Sequence, residues 1–331
     1  MASRSLPHPL LVADLGGTNA RFAIVERPGD PVGSMLRLAT ADFIDPVMAF
    51  AHAIAHFGVA PGSLLVAAAG PRQAGTIALT NAAWTVDIAA LCARFGCSGV
   101  LFNDFEAVAL ALPFLVANTL HPIGAWTPQD GGVRVVMGPG TGLGVGALIE
   151  TEGRFLPLAS EAAHIGFGPL TRDEERLFKQ VERVDGRLTA EVLLSGPGLA
   201  RLHAARMALQ DRNDNKTDAA SVATMALADP HGEAATTVRV FLALLARFAG
   251  DLAISFRAQG GVFIAGGVAP RLIPLLDPQA FRMNFEAKAP VAALAASCPS
   301  AVILGEAALI GMAAFGAQPD RFMVAADGRI V

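Results

Sequence analysis

LLVADLGGTNARFAIVE, residues 10–26, is an apolar run, a Gly-Gly-Thr-Asn turn and a second apolar run that ends in a charge. That pattern predicts a β-hairpin. Residues 133–150, VRVVMGPGTGLGVGALIE, repeat the scheme of strand, Gly-Thr turn and strand. One device used once in each half is a weak internal duplication, and no short fixed period makes it a solenoid. At 331 residues the chain is too long for one ordinary domain and suits two lobes with a cleft between them.

Between the two hairpins, residues 64–69 and 100–102 read as buried strands and residues 86–95 as a short helix, which predicts a mixed α/β architecture. Asp104 opens an apolar helical stretch that Pro113 ends, so the lobe boundary is expected near residues 112–120. The expected division is a small α/β lobe of residues 1–114 and 305–331 and a large α/β lobe of residues 115–304. In the large lobe, residues 172–183 predict a charged helix, residues 237–257 a long apolar one, and residues 261–268 a strand entering a Gly-Gly turn. Residues 306–315 make a last helix, and residues 212–216, RNDNK, read as a solvated loop without functional meaning.

Composition narrows the function classes. Hydrophobic residues make up 53% and charged residues 16%, which excludes disorder and raises the question of a membrane protein. The best candidate span, residues 107–117, is about half the length needed to cross a bilayer and contains Pro113. Residues 301–317 are interrupted by Glu306 and loosened by Gly305 and Gly311, and so read as a buried helix. Residues 1–9 carry one Arg and two prolines without an apolar core, so no signal peptide is expected and the protein is placed in the cytoplasm. Cys92, Cys97 and Cys298 form no paired framework and fall short of a four-ligand zinc set, leaving buried reduced thiols. A net charge of −4 removes the broad positive field of a nucleic-acid binder. An anionic ligand must then be held locally, by backbone amides, hydroxyls or a metal.

Both glycine turns suit that task. Glycine can take positive φ and lets main-chain N–H groups approach a polyphosphate without a side chain in the way. Thr18 and Thr141 add a hydroxyl to each turn, and Asp14 precedes the first. A carboxylate beside a phosphate site implies an intervening cation, here Mg²⁺ held through water by Asp14. Neither turn has the lysine of a P-loop. Residues 142–147, GLGVGA, fit a relaxed dinucleotide fingerprint, but the chain after them reads as strand and polar turn where that fingerprint needs a helix. Taken singly, each turn reads more simply as a plain tight hairpin, and it is the occurrence of two similar turns that favours a phosphate cradle.

DLGGTN at residues 14–19, NDFEA at 103–107, GPGTGLG at 138–144, EAAH at 161–164, LSGPGL at 194–199 and AGGV at 265–268 occur in the order found in bacterial glucokinases, and the chain resembles that family along nearly its whole length. The resemblance implies the two-lobed, actin-like ATPase (ribonuclease H-like) fold of sugar kinases, actins and chaperone ATPases, each lobe a mixed sheet with helices. It implies ATP-dependent phosphorylation of the 6-hydroxyl of D-glucose to glucose 6-phosphate and ADP, the first step of glycolysis. Asp14, Gly16, Gly17, Thr18 and Asn19 would grip the phosphates from one lobe and Gly140, Thr141 and Gly142 from the other, with Gly266 and Gly267 along the adenosine. A homodimer is implied as well. The lobes would close only when sugar is present, because water is a smaller and more abundant nucleophile.

A hexose needs several carboxylates, amides or imidazoles converging on one small volume, and the chain offers Asn103, Asp104, Glu161, His164 and Glu191. The resemblance implies that these bind glucose and that Asp104 is the base beside the 6-hydroxyl. By local sequence alone Asp104 is equally an N-cap; a core histidine at His164 and an exposed helix charge at Glu191 are the lesser alternatives there. Asp104 stands where a helix dipole and free amides favour a carboxylate in either role. Glu161 and His164 also have the spacing of a di-iron motif, which needs a second copy that this chain lacks. Asn81 in TNAAW resembles the family's TN-x-x-W segment and is expected to shape the cleft. Ala162 and Ala163 replace the two glycines of the family's Glu-Gly-Gly-His, which leaves mannose, fructose or an N-acetyl amino sugar open as substrate. The zinc-binding cluster of the related kinases that include repressors is absent. A non-catalytic sugar sensor on the same fold is expected to carry a DNA-binding segment or to have lost the base, whereas no helix-turn-helix pattern is read before Leu10 and Asp104 is present. A nicotinamide-dependent oxidoreductase rests only on the GLGVGA match, and ADP or polyphosphate remains open as donor.

Overall fold

The computed structural model describes residues 5–214 and 216–324. In chain order the strands are β1 (Leu10–Leu15), β2 (Asn19–Val25), β3 (Met35–Ala39), β4 (Ser63–Ala68), β5 (Arg72–Gln73), β6 (Thr76–Ala78), β7 (Thr85–Asp87), β8 (Ser98–Asn103), β9 (Leu120–Pro122), β10 (Arg134–Pro139), β11 (Leu143–Thr151), β12 (Arg154–Ser160), β13 (Gly261–Ile264) and β14 (Ser300–Ile303). The α-helices are α1 (Pro46–Phe57), α2 (Ile88–Phe95), α3 (Asp104–Ala111), α4 (Arg172–Gln180), α5 (Ala190–Leu193), α6 (Gly196–Ala208), α7 (Ala219–Ala228), α8 (Glu233–Phe256), α9 (Ala269–Leu272), α10 (Pro278–Glu286), α11 (Ala292–Ala296) and α12 (Ala307–Ala317). The chain divides into two compact units. The first takes in residues up to Val116, Gly146–Ala159 and the chain from Gly305; the second is Ala117–Val145 and Ser160–Leu304.

The first unit is built on the five-stranded sheet β3-β2-β1-β4-β8. β1 pairs antiparallel with β2, parallel with β4, and β4 pairs parallel with β8. The three parallel strands are buried almost throughout, which is why they read as continuous apolar runs without alternation. β3, at the edge, alternates between half-buried and exposed residues. One core cluster lies under α1 and α2, with Phe22 and Phe50 meeting edge to face at 5.1 Å between ring centroids.

Helix α3 is held by α12 through unusually close backbones. A Cβ at Gly311 would be driven into the carbonyl oxygen of Ala107 and would lie 2.8 Å from Ala111 N. Phe102, at the end of β8, stacks edge to face on Phe315 of α12 at 5.2 Å. Glu306, read in the sequence as a break in an apolar helix, stands just before α12 and makes an ion pair described below.

In the second unit β10 and β13 pair in parallel, as do β13 and β14, while β9 closes the edge antiparallel to β14 and β11 returns alongside β10. α8, 24 residues long, is buried along most of its length and contacts α6, α7 and α10. Among the described residues no helix is long and apolar enough to cross a membrane.

Several element boundaries differ from the sequence reading. Val86 belongs to β7, and α2 starts at Ile88 because the Asp87 carboxylate accepts the Ala90 N–H at 3.0 Å. α4 ends at Gln180 rather than residue 183, since Val181 turns extended and buries its side chain. α8 begins four residues earlier than residue 237, at Glu233. The RNDNK loop, of which Asn215 lies outside the described residues, is tied to the helices beside it. Asp214 Oδ2 lies 3.5 Å from Nε2 of His203 on α6, and the Nδ1 of that buried ring lies 3.0 Å from Thr237 Oγ1 on α8.

Burial pushes the His203 imidazole below its ordinary range, against the opposing pull of Asp214. The folded chain therefore favours the neutral ring. Its contribution is complete above the unfolded value, about 6.5, and is lost as pH falls through the depressed folded value. The urea midpoint should fall between pH 7.5 and pH 5, and His203→Gln should flatten that slope. Gly311→Ala, by overpacking α12 on α3, should lower stability by about 1–3 kcal/mol in the same titration.

Candidate active site

Strand register fixes where the first unit's polar groups emerge. Leu15 is opposite Ala68, and Ala68 is opposite Asn103, so β1, β4 and β8 end level with one another at their carboxyl ends. The Gly16–Thr18 turn follows β1 and Asp104 follows β8, two strand spacings away, about 10 Å along the sheet edge. In parallel α/β sheets this edge is where ligands bind.

The turn is held from outside itself. Thr40, buried, donates its hydroxyl to Gly16 O at 2.9 Å and its N–H to Thr18 O at 3.0 Å. Gly16 N–H donates to Asn19 O at 2.9 Å, and Arg37 Nε donates to Asn19 Oδ1 at 3.0 Å. Among the described residues the N–H groups of Gly17 and Thr18 make no hydrogen bond. They are available to an anion. Gly16 and Gly17 do not take positive φ, contrary to the sequence reading. Gly17 is needed for space instead: a Cβ there would sit 2.6 Å from the Cβ of Asn81, so the TNAAW segment closes directly over the turn.

Asp14, the penultimate residue of β1, faces Arg21 on β2 across the ladder. Arg21 Nη1 donates to Asp14 Oδ2 at 3.0 Å, and Arg21 Nε lies 3.1 Å from Glu306 Oε1. Burial pushes the Asp14 carboxyl above the usual range, Arg21 pulls it down, and Glu306 pushes it up. A cation near Asp14 would offset the cost that burial imposes on its charged form. Among the described residues no three His, Cys, Asp or Glu side chains are grouped to cage a metal. A lone buried carboxylate of this kind is an oxygen donor that fits Mg²⁺.

Asn103 and Asp104 divide the strand-to-helix junction between them. Asn103 is the N-cap: its Oδ1 accepts from Phe105 N–H at 3.0 Å and Glu106 N–H at 3.3 Å, and Glu106 completes a capping box by accepting from Asn103 N–H. The Asn103 amide also donates to Gly70 O at 3.2 Å. Asp104 is the first helical residue, not the cap, and one of its oxygens accepts from Phe105 N–H at 3.0 Å. The capping role that the sequence left open to Asp104 is filled by its neighbour.

In the second unit the β10–β11 turn, the chain after β13 and α5 come together. Gly140 N–H donates to Gly142 O at 2.8 Å, closing a tight turn over Thr141, whose N–H, with that of Gly142, makes no hydrogen bond among the described residues. Val268 N–H donates to Pro139 O at 3.2 Å, and a Cβ at Gly266 (φ 80°) would press on that same carbonyl at 2.5 Å. This brings Gly266 and Gly267 beside the turn. Gly196 N–H donates to Gly140 O at 2.7 Å, and Glu191 Oε2 accepts from Leu143 N–H at 2.9 Å. Glu191 is thus neither free nor a plain surface charge. The stretch after Gly142 continues as strand β11, so the dinucleotide fingerprint finds no helix.

Glu161 precedes a single 3₁₀ turn that His164 ends, with His164 Nε2 3.5 Å from Glu161 Oε2. Their side chains are 77% and 51% exposed, which removes the reading of His164 as a core histidine. Arg187 steadies the turn by donating to His164 O at 2.9 Å. Glu161 and Ala162 line a cavity of about 400 Å³ with Ile165, Leu252 and Phe256. Thr40, Arg21 and Arg187 are the polar residues here that the sequence did not single out. Their partners lie 24, 7 and 23 positions away in the chain, and no local motif marks the pairing.

The family model for glucokinase matches residues 11–319. The glucokinase of Rhizobium meliloti (strain 1021) is 39% identical over 332 aligned residues, covering 99% of this chain and 98% of that protein. A crystal structure of a glucokinase from an Antarctic psychrotroph is 31% identical, with a TM-score of 0.80 over 92% of this chain and 97% of that one. A ROK family glucokinase from Streptomyces griseus, solved with glucose and AMPPNP, is 21% identical and shares the fold, with a TM-score of 0.64 over 92% of this chain and 98% of that one. The architecture is that of the actin-like sugar kinases, and by sequence along nearly its whole length the chain belongs to the glucokinase family.

Proposed function

We propose that the protein transfers the γ-phosphoryl group of ATP to the 6-hydroxyl of D-glucose, giving glucose 6-phosphate and ADP at the entry to glycolysis. The observation that carries this reading is the register of β1, β4 and β8, which sets the Gly17 and Thr18 amides, without a hydrogen bond among the described residues, and the carboxylate of Asp104 on one sheet edge. Family membership over the whole chain supports it.

Phosphoryl transfer asks the protein mainly for position and charge stabilisation, with the attacking and leaving oxygens in line. In this reading Asp104 takes the proton of the 6-hydroxyl as its oxygen attacks the γ-phosphorus. Asn103, Glu161, His164 and Glu191 hold the other hydroxyls, their mix of donors and acceptors matching a hexose ring. As the family resemblance implies, Gly16, Gly17, Thr18, Asn19, Gly140, Thr141 and Gly142 bind the phosphates, with Gly266 and Gly267 along the adenosine. Mg²⁺, when bound, would supply charge neutralisation on the phosphate oxygens, and Asp14 would hold it through water. The reading also makes the protein a homodimer, as the family resemblance suggests, and places it in the cytoplasm.

A second substrate reading, another hexose, rests on Ala162 and Ala163. Both take ordinary backbone angles in the 3₁₀ turn, so the missing glycines cost no strain there. A coupled assay with ATP across glucose, mannose, fructose and N-acetyl amino sugars tests both readings, and glucose is expected to give the highest kcat/KM. Asp104→Asn should lower kcat about 10²–10⁴-fold with little change in KM for the sugar. Near-normal turnover in that variant would remove Asp104 as the base.

A further inference from the structure

Glu191 stands in α5, a four-residue helix tied at its two ends to different parts of the second unit. Before it, Thr189 bridges Gly166 and the Ala190 N–H donates to Ile165 O at 3.0 Å, which fixes the segment to the chain that follows Glu161 and His164. After it, Gly196 N–H donates to Gly140 O at 2.7 Å. Between these ties the carboxylate crosses to the β10–β11 turn and accepts the Leu143 N–H at 2.9 Å through Oε2. Residue 142 must be small for this: a Cβ there would lie 2.5 Å from that same oxygen. Glu191 Oε1 makes no hydrogen bond among the described residues.

We infer that Glu191 is a positioning residue for the phosphate turn, holding the Gly140–Gly142 segment in its binding conformation through the Leu143 amide while its other oxygen remains available to a sugar hydroxyl. This rests on the kinase reading above. A half-buried N–H that loses its acceptor seeks another, and the nearest alternatives involve rearranging the turn. Such a rearrangement would cost the Thr141 and Gly142 amides their orientation toward an anion. Because one carboxylate touches both ligands' binding elements, sugar binding and nucleotide binding are coupled, and the coupling is reciprocal.

The test is nucleotide affinity of the full chain without any sugar present, read by calorimetry with AMPPNP and Mg²⁺, for wild type, Glu191→Ala and Glu191→Gln. Glutamine keeps a carbonyl acceptor for the Leu143 N–H, whereas alanine removes it. Alanine should weaken AMPPNP binding by about 10-fold and glutamine by no more than about 3-fold. Leu143 amide hydrogen exchange, measured alongside, should accelerate in the alanine variant only. Gly142→Ala, which displaces the carboxylate without removing it, should reproduce both changes and covers the case in which Glu191→Ala fails to fold. Unchanged AMPPNP affinity in Glu191→Ala, with glucose affinity lost, would overturn the inference and make Glu191 a sugar ligand alone. No AMPPNP binding by the wild-type chain would overturn the kinase reading, and the inference with it.

Discussion

The register between β1, β4 and β8 is the constraint on which the first unit's chemistry depends. These strands are parallel, buried on both faces and joined by crossovers, so their alignment is set by packing on α1, α2 and α12 rather than by hairpin turns. A slip by one residue would turn every side chain to the opposite face and move Asn103 out of line with Leu15. Close contacts hold the register in place. Gly99 in β8 admits no Cβ against Cys92 Sγ, Ile88 Cδ1 and the carbonyl of Leu64, and Gly316 in α12 none against Leu10. The same burial pushes the Cys92 thiol up to about 12, which leaves it a packing residue and not a nucleophile.

A turn that receives an anion poses an opposite requirement. Its amides must stay unpaired, yet a loop with unpaired amides has little to keep it in one conformation. Both glycine turns meet this by hydrogen bonding through their carbonyls and flanking residues. Thr40 takes the carbonyls of Gly16 and Thr18, while Gly196 takes that of Gly140, which leaves the N–H groups of Gly17, Thr18, Thr141 and Gly142 without partners among the described residues. The likeness of the two hairpins in sequence thus extends to how they are braced, although the braces themselves, a threonine hydroxyl in one and a helix-start amide in the other, are unrelated.

That contrast explains what the sequence disclosed. Hairpins, buried strands and helices were legible because apolar runs and Gly-Thr turns are local signals, and the motif order carried the family. Cap assignment at residues 103 and 104 was not, since Asn and Asp both cap well and only the hydrogen bonds to Phe105 and Glu106 choose between them. The glycines were read for positive φ, which Gly266 takes but Gly16, Gly17, Gly140 and Gly142 do not. For Gly17 and Gly142 the reason is proximity to Asn81 and Glu191, residues distant in sequence, and proximity has no local signature. Glu306 looked like a fault in an apolar helix for the same reason: its partner Arg21 lies at the far end of the chain.

The paired alanines of Glu-Ala-Ala-His illustrate how structure narrows a question that sequence leaves broad. Replacing two glycines could act by backbone strain or by added volume. Strain is excluded at this turn, because neither residue takes positive φ. Volume acts unequally. The Ala163 methyl is buried, at 2% exposure, so it adds to the packing under the turn, where a neighbouring ligand does not meet it. Ala162 is half-buried, donates its N–H to Ser160 Oγ at 3.2 Å, and lines the cavity beside Glu161. If this turn tunes which hexose is accepted, the discriminating group is the single methyl of Ala162, and a hydrophobic pocket wall altered by one carbon discriminates between ligands by only about 10–200-fold.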